Sequence, residues 1–496
     1  MVCIGIDLGT TYSCVAIIEK GRPRIIYNEE GNNFTPSIVS YGDNSDILVG
    51  NHALNYSDLS RVLYDSRRLL GWEFMYDLPI AENRLLWTFD LDTRNESVGY
   101  VLNRGTAKER FILPEEVSAD ILRKLKLIAE SYTEEPITGA VVAIPAFFQT
   151  AQIEATKRAV QMAGLELKML VKEPTAAAIA YNEDKKLEDS SIMIFNFGGG
   201  TLDINICEIK NGKLTIKAVH GDKHLGGQDF DGIIMNYVLQ EYMELSKNDI
   251  FGNKRLVKRL RTECRLAKEA LSFNASSYNI HLDIDLDGHL DLNIQLTKEK
   301  FNELCEKLHT RTSRLIDDTL RMANLRTDDI DHVILVGGST RIPAIKSILE
   351  MKFGQEKLKF NIHPDEVVVF GAAIVADAIE KEKQIPLINN TMTELSRNIN
   401  NLQIGEDNSF NNSHEILFYR PVPSEWRNYA SVAYFKDKLY YLGGQDPETS
   451  QYTNRVNILI DGKWQTGPAF PLPIRCAQAI TCDGILYGHI IVYSLL

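Results

Sequence analysis

One repeated pattern constrains this chain more than any other. IGIDLGTTYS, from Ile4 to Ser13, is echoed by IFNFGGGTLD, from Ile194 to Asp203. Each copy is an apolar strand, a polar residue, a turn rich in Gly and Thr, then a second apolar strand (Cys14 to Ile18; Ile204 to Glu208). A third apolar strand runs into a Gly-rich turn in VILVGGSTRIP, from Val333 to Pro343. Repetition of this kind predicts a duplicated lobe with a ligand held between the copies. The turn chemistry points to phosphate: glycines let backbone N–H groups approach anionic oxygens, and Thr hydroxyls add donors. Gly9, Thr10 and Thr11 form one such turn beside Asp7, and Gly198, Gly199, Gly200 and Thr201 form the second before Asp203. Carboxylates so placed suit Mg²⁺ held through its water shell, because Mg²⁺ gives up water reluctantly. A single Gly-rich turn is by default structural; two matched hairpins and a third turn are a stronger signal.

Three regions separate along the 496 residues. Residues 1–384 alternate apolar strand-like runs with longer amphipathic helical runs, which predicts an α/β fold. Residues 385–414 are rich in Asn and read as a linker. Residues 415–496 are aromatic and turn-rich and read as all-β. The formal net charge of −13 disfavours a phosphate-neutralising nucleic-acid binder. The longest apolar run, Val367 to Ala376, is too short to span a bilayer, and no secretory leader is expected. Seven cysteines without a C-x-x-C pair predict reduced, packed thiols. A cytoplasmic protein, present in the nucleus as an alternative, is the expectation.

Residues 2 to about 383 resemble the nucleotide-binding domain of the 70-kDa heat-shock chaperone family. The strings that carry the resemblance are IGIDLGTTYS, AVVAIPAFF (Ala140 to Phe148), KEPTAAAIAY (Lys172 to Tyr181), FGGGTLD, GDKHLGGQDFD (Gly221 to Asp231), ILVGGSTRIP and HPDEVVVFGAA (His363 to Ala373). The resemblance implies a duplicated actin-like ATPase fold, with lobe I at about 1–184 and 365–384 and lobe II at about 185–364. It implies ATP or ADP with Mg²⁺ in the cleft between them. Asp7 and Asp203 would flank Mg²⁺ through water, and Glu173 would position the attacking water. Thr10, Thr11, Gly199, Gly200 and Thr201 would cradle phosphate, with Gly9, Tyr12, Gly198 and Asp365 completing the nucleotide contacts. Gly337, Gly338, Ser339 and Arg341 would line the adenosine side, opposite Lys268 and Ser272. J-domain cochaperones and nucleotide exchange factors are the partners it implies.

The chain departs from the family pattern at telling positions. Arg67 replaces a Lys whose compact charge serves the γ-phosphate and the attacking water; a planar fork is not equivalent there. Asn196 replaces an Asp before the second turn. Both changes bear on hydrolysis more than on binding. Arg265 and Glu269 stand with their charges exchanged, so an ion pair can survive. Gln228 replaces a Glu, and Ile153 an Arg that engages the family's interdomain linker. No β-sandwich or helical lid for peptide is recognised, so clamping a peptide in the family's way is not expected. Three readings stay open: a weak Mg-ATPase, a non-catalytic ATP-binding scaffold, and a protein-interaction adaptor.

The adaptor reading rests on residues 427–475, which resemble one kelch repeat. Arg427 and Arg475 stand about one 50-residue period apart. Gly443 and Gly444 would make the tight turn and Trp464 would pack between blades. A propeller needs several blades, so one blade and a fraction is either a partner-binding element or a relic, and the relic is the preferred reading. Other motifs carry less. Asp283, Asp285, Asp287 and Gly288 open like a calcium loop, but Ile294 stands where Glu is required, and the alternation from His281 predicts a hairpin strand. KRLVKRLR, Lys254 to Arg261, reads as the solvated face of a helix whose apolar side is Leu256, Val257 and Leu260. His224 is read as structural.

Overall fold

A computed structural model describes residues 2–42, 46–72, 87–185, 187–222, 224–247, 253–284, 291–383, 385 and 387, together with six strands between 431 and 490. Two compact units divide the chain at residue 402.

The first unit contains the repeat in three dimensions. Its first sheet is built from β1 (Val2–Leu8), β2 (Tyr12–Glu19), β3 (Arg22–Ile25), β4 (Ile137–Ile144) and β5 (Glu166–Lys172). Its counterpart is built from β6 (Ser190–Phe197), β7 (Leu202–Lys210), β8 (Lys213–Asp222), β9 (His332–Val336) and β10 (Leu358–Lys359). The strand orders match, β3-β2-β1-β4-β5 against β8-β7-β6-β9-β10. So do the directions: the first three strands of each are antiparallel and the rest run parallel to the central one. The first hairpin of each sheet carries its Gly/Thr turn at the same end, so the duplication puts two phosphate-type turns at equivalent places.

Each lobe has its own core. In lobe I it includes Ile4, Ile6 and Tyr100; in lobe II it includes Phe195, Phe197 and Phe230. A third core joins them through α1 (Glu173–Lys185) and α2 (Val367–Glu380), which pack on Val141 and Val171 from one sheet and on Ile192, Ile194 and Ile334 from the other. Burying each such Val or Ile stabilises by about 1.5–3 kcal/mol. The small residues permit close approach. A Cβ on Gly371 of α2 would lie 1.9 Å from the carbonyl oxygen of Ala176 in α1, and one on Gly5 of β1 would lie 2.2 Å from the Ala373 nitrogen. The apolar run from Val367 is thus a helix inside the protein, and no helix among the described residues is long and apolar enough to cross a membrane.

Two expectations change. The linker was expected from residue 385, yet Ile385 and Leu387 are buried in the shared core. Leu387 bridges to Lys213 and its carbonyl accepts from Leu214 N at 3.2 Å. These two apolar side chains are buried in the core, so the body extends past 384. The basic run also differs from its reading. It opens α3 (Lys254–Phe273), and Leu256, Val257 and Leu260 are buried as expected. Lys258 and Arg261, however, are half-buried and donate to lobe I, to Leu54 O and Tyr64 Oη. Helical spacing identifies the apolar face correctly but says nothing of a second lobe opposite the other face.

The candidate calcium segment contains strands Ser277–Leu282 and Leu292–Thr297, paired antiparallel as a hairpin requires. Asp285, Asp287 and Gly288 lie outside the described residues. In the second unit, Ser431–Phe435, Lys438–Leu442, Val456–Ile460 and Lys463–Thr466 form a four-stranded antiparallel sheet in chain order. Ala477–Cys482 pairs with Ile485–Ile490. Gly443, Gly444, Arg427 and Arg475 lie outside the described residues.

Candidate functional site

The two hairpin turns face each other across a cleft of about 570 Å³ between the lobes. Their approach is so close that a Cβ on Gly199 would lie 2.2 Å from Thr11 Oγ1 of the other lobe, so a side chain there would have to displace the Thr11 hydroxyl. The second turn is braced from behind. Gly227 N and Gln228 N, the first amides of helix Gly227–Ser246, donate to Gly198 O and Gly199 O at 3.0 and 2.8 Å. Ser339 Oγ of the third turn donates to Gly198 O at 2.8 Å.

Of the residues assigned from sequence to the nucleotide site, all but one line this cleft. Asp7, Gly9, Thr10, Thr11 and Tyr12 come from lobe I with Arg67 and Glu173; Gly198 to Thr201, Lys268, Ser272, Gly337, Gly338, Ser339 and Arg341 come from lobe II; Asp365 closes the far side. The exception is Asp203. It is 1% exposed and lies behind the wall, its Oδ2 accepting from Thr201 Oγ1 at 3.3 Å. His224 does not line the cleft either.

Charge is concentrated at the cleft floor. Arg67 forms an ion pair with Glu173, and the fields of Asp7 and Asp203 also act on its guanidinium. Burial lowers the pKa of Arg67 against the opposing pull of Asp7 and Asp203. Asn196 Nδ2 donates to the other oxygen of Glu173 at 2.6 Å. Both departures from the family pattern therefore grip the same carboxylate. Asp7 titrates at about 6, raised by burial and by Asp365 against the pull of Arg67. Its Oδ1 is buried without a hydrogen-bond partner.

That orphaned oxygen is the test of a divalent cation. Glu173 pairs with Arg67, whose guanidinium also feels the fields of Asp7 and Asp203, so carboxyl groups outnumber the cation there. Among the described residues no three His, Cys, Asp or Glu side chains form a metal cage. Mg²⁺ held by water, one carboxylate and phosphate needs no such cage, so the residues fit it.

Across the cleft mouth, Arg265 of α3 donates to Tyr12 Oη at 2.6 Å while staying 3.8 Å from Glu269. The exchanged ion pair thus persists. Gln228 Nε2 donates to Asp65 Oδ1 at 3.1 Å; a Glu there would set two carboxylates against each other. Lys268 Nζ pairs with Asp231 at 2.8 Å and donates to Gly227 O. On the adenosine side, Arg341 meets His363 Nε2 at 2.7 Å and Asp365 at 3.9 Å. Sequence reasoning missed Asp65, Asp231 and Arg68. Asp231 was in a quoted string without a role; Arg68 Nη2 donates to Gly200 O at 2.7 Å and is the neighbour of Arg67 in a helical turn.

Two matched sheets hinged at paired helices, with phosphate-type turns facing across a cleft, define the two-lobed actin-like class. Within it, the sequence model of the Hsp70 protein family matches residues 3–404, and the chain belongs to that family. It is 37% identical over 389 residues to a heat shock cognate 70 kDa protein 3 of Dictyostelium discoideum, covering 77% of this chain and 61% of that one. It is 39% identical over 377 residues to a heat shock 70 kDa protein of Neurospora crassa, covering 75% of this chain and 57% of that one. The chain thus spans about three fifths of the length of these relatives.

Proposed function

We propose that the chain binds Mg-ATP in the cleft and hydrolyses it slowly. The observation that supports this is the convergence of the three turns and Asp7, with its unpartnered oxygen, on one cavity. Backbone amides and hydroxyls of Gly9 to Thr11 and Gly198 to Thr201 would hold the phosphates; Lys268, Ser272 and Arg341 would hold the nucleoside. When bound, Mg²⁺ would neutralise phosphate charge and fix the chain's geometry. Asp7 would hold its water shell, with Asp203 supporting through Thr201.

Hydrolysis requires Glu173 to orient a water. Both of its oxygens are already engaged, by Arg67 and Asn196. A water must displace or share one of them, which slows the step without weakening phosphate binding. The same observation favours a second reading, a binder without turnover. Cochaperone-type partners and exchange factors rest on the family likeness, and a protein ligand for the C-terminal strands rests on the kelch-like string alone; both are proposals of lower rank.

Titration of ATP with and without Mg²⁺ tests binding, and absence of saturable Mg-dependent binding overturns the proposal. Single-turnover hydrolysis separates the two readings: a rate equal to the protein-free control selects the non-catalytic one. The double change Arg67→Lys with Asn196→Asp frees Glu173, and the rate should rise by about tenfold or more, the effect of one restored catalytic hydrogen bond. An unchanged rate removes the tether as its cause.

A further inference from the structure

Three successive carbonyls of the second turn are each held by a donor from outside the turn. Gly198 O and Gly199 O accept from Gly227 N and Gln228 N, and Gly198 O also from Ser339 Oγ. Gly200 O accepts from Arg68 Nη2 at 2.7 Å. Arg68 lines the smaller cavity behind Thr10 and Thr11, not the front cleft, so Gly200 O is drawn away from the cleft. No described peptide bond is cis, and a trans peptide carries its C=O and N–H on opposite sides of one plane. Holding the three carbonyls therefore turns the next three amides, Gly199 N, Gly200 N and Thr201 N, the other way, and these residues line the front cleft. None of the three amides donates to a protein acceptor among the described residues. Consecutive amides free on one side make an anion-binding concavity.

The donors differ in origin. Gly227, Gln228 and Ser339 belong to lobe II, as the turn does. The first turn is likewise held from within its own lobe: Ser37 Oγ donates to Gly9 O at 2.8 Å and Ser37 N to Thr11 O at 2.9 Å. Of all these donors Arg68 alone crosses from the other lobe. It stands on the helical turn Ser66–Leu69, next to the Arg67 that pairs with Glu173. Its side chain is 6% exposed, and Gly200 O is the one hydrogen-bond acceptor it has among the described residues. A Cβ on Gly200 would lie 2.8 Å from Arg68 Nε, so glycine there leaves the guanidinium its place. A charged donor on the carbonyl also polarises the peptide and strengthens its N–H as a donor.

We infer that Arg68 is a positioning residue for the phosphate end of the cleft: it draws Gly200 O back and so aims Thr201 N–H at the anion. Because the bond crosses between lobes, this last amide is set only when they are closed on each other. The inference rests on the nucleotide reading for the identity of the anion, not for the geometry of the turn.

Amide NMR of the full chain tests it, with Mg²⁺ and a non-hydrolysable ATP analogue as the probe. In the parent, the Gly199, Gly200 and Thr201 amide protons should all move downfield on saturation. In Arg68→Met the Thr201 shift should be lost while those of Gly199 and Gly200 remain, since their own donors are untouched; the two retained shifts also report a folded turn. Analogue affinity should fall by about tenfold, the worth of one hydrogen bond to a charged acceptor. Adenosine, which carries no phosphate, should bind the variant nearly as it binds the parent. A Thr201 shift as large in the variant as in the parent overturns the role. So does an equal loss of affinity for adenosine and analogue, which would mark Arg68 as merely holding the lobes together. Should Arg68→Met not fold, Arg68→Lys keeps the charge without the planar fork, and its Thr201 shift, reduced or unchanged, decides in the same way. Should the parent bind no analogue, the nucleotide reading falls. Inorganic phosphate titrated alone then replaces the analogue, and a Thr201 amide that does not respond to it in the parent, or responds equally in the variant, overturns the role of Arg68.

Discussion

Replacing Asp7 with Asn should stabilise the nucleotide-free protein and abolish the Mg²⁺ dependence of ATP binding. Burial, more than Asp365 and despite Arg67, lifts the Asp7 carboxyl from 3.8 to about 6. A carboxyl raised in this way holds its proton more tightly when folded than when unfolded. Below the unfolded value both states are protonated and nothing is lost. Stability falls as pH climbs through the window between 3.8 and about 6 and stays reduced above it. A shift of roughly two units at 1.36 kcal/mol each makes the penalty about 3 kcal/mol near neutral pH. Asn keeps the shape and never ionises, so the variant escapes that penalty. For a body of this size the gain corresponds to about 4 °C in the unfolding midpoint. Calorimetry without nucleotide, in chelator, from about pH 4 to about pH 8 reads it directly. The advantage of Asp7→Asn should be largest at the alkaline end and vanish at the acid end. A variant midpoint at or below the parent's near neutral pH would refute the reasoning, as would an advantage that does not change with pH.

Other expectations follow from single contacts. Asn205 in β7 is fully buried, and neither of its amide atoms has a partner; Asn205→Val should raise the urea midpoint by the equivalent of about 1–2 kcal/mol. Gly371→Ala drives a methyl into the Ala176 carbonyl, and should cost about 3 kcal/mol, read in the same titration. Tyr12→Phe deletes the bond from Arg265 across the cleft mouth; at about 1 kcal/mol, nucleotide release in a chase experiment should quicken roughly fivefold. Unchanged release would show that this bond does not hold the cleft shut.

The two sheets were legible because each hairpin repeats the same alternation of apolar strand and Gly/Thr turn, and the repeat was local. Most residues singled out for the front cleft line it, through strings long enough to name, whereas Asp203 lies behind its wall and Asp231, which lines it, was given no role. Asp203 fails for a reason of depth. Alternation along β7 assigns its face, opposite Leu202 and Ile204, but not how far the wall stands in front of it. The meeting of Arg67 and Asn196 on Glu173 was out of reach for another reason: the three lie on separate elements, joined only by the tertiary fold. The contacts of Lys258 and Arg261 with lobe I were hidden likewise, since helical spacing cannot announce a lobe that faces the polar side of α3.

The seam between α1 and α2 has a mechanical meaning. Gly371 of α2 lies against Ala176 of α1, and Ala177, Ala178, Ala180 and Ala372 share the same core, so small residues are concentrated along this seam. Such faces lack the knobs that lock one helix into another's grooves. Faces of this kind would let one helix shift over the other with little loss of contact, as a plain bearing does, with the sheets on either side keeping their packing. Resistance to opening then resides in the polar bonds at the rim rather than at the pivot. Ionic strength, more than core substitutions, should therefore set how readily the two halves part.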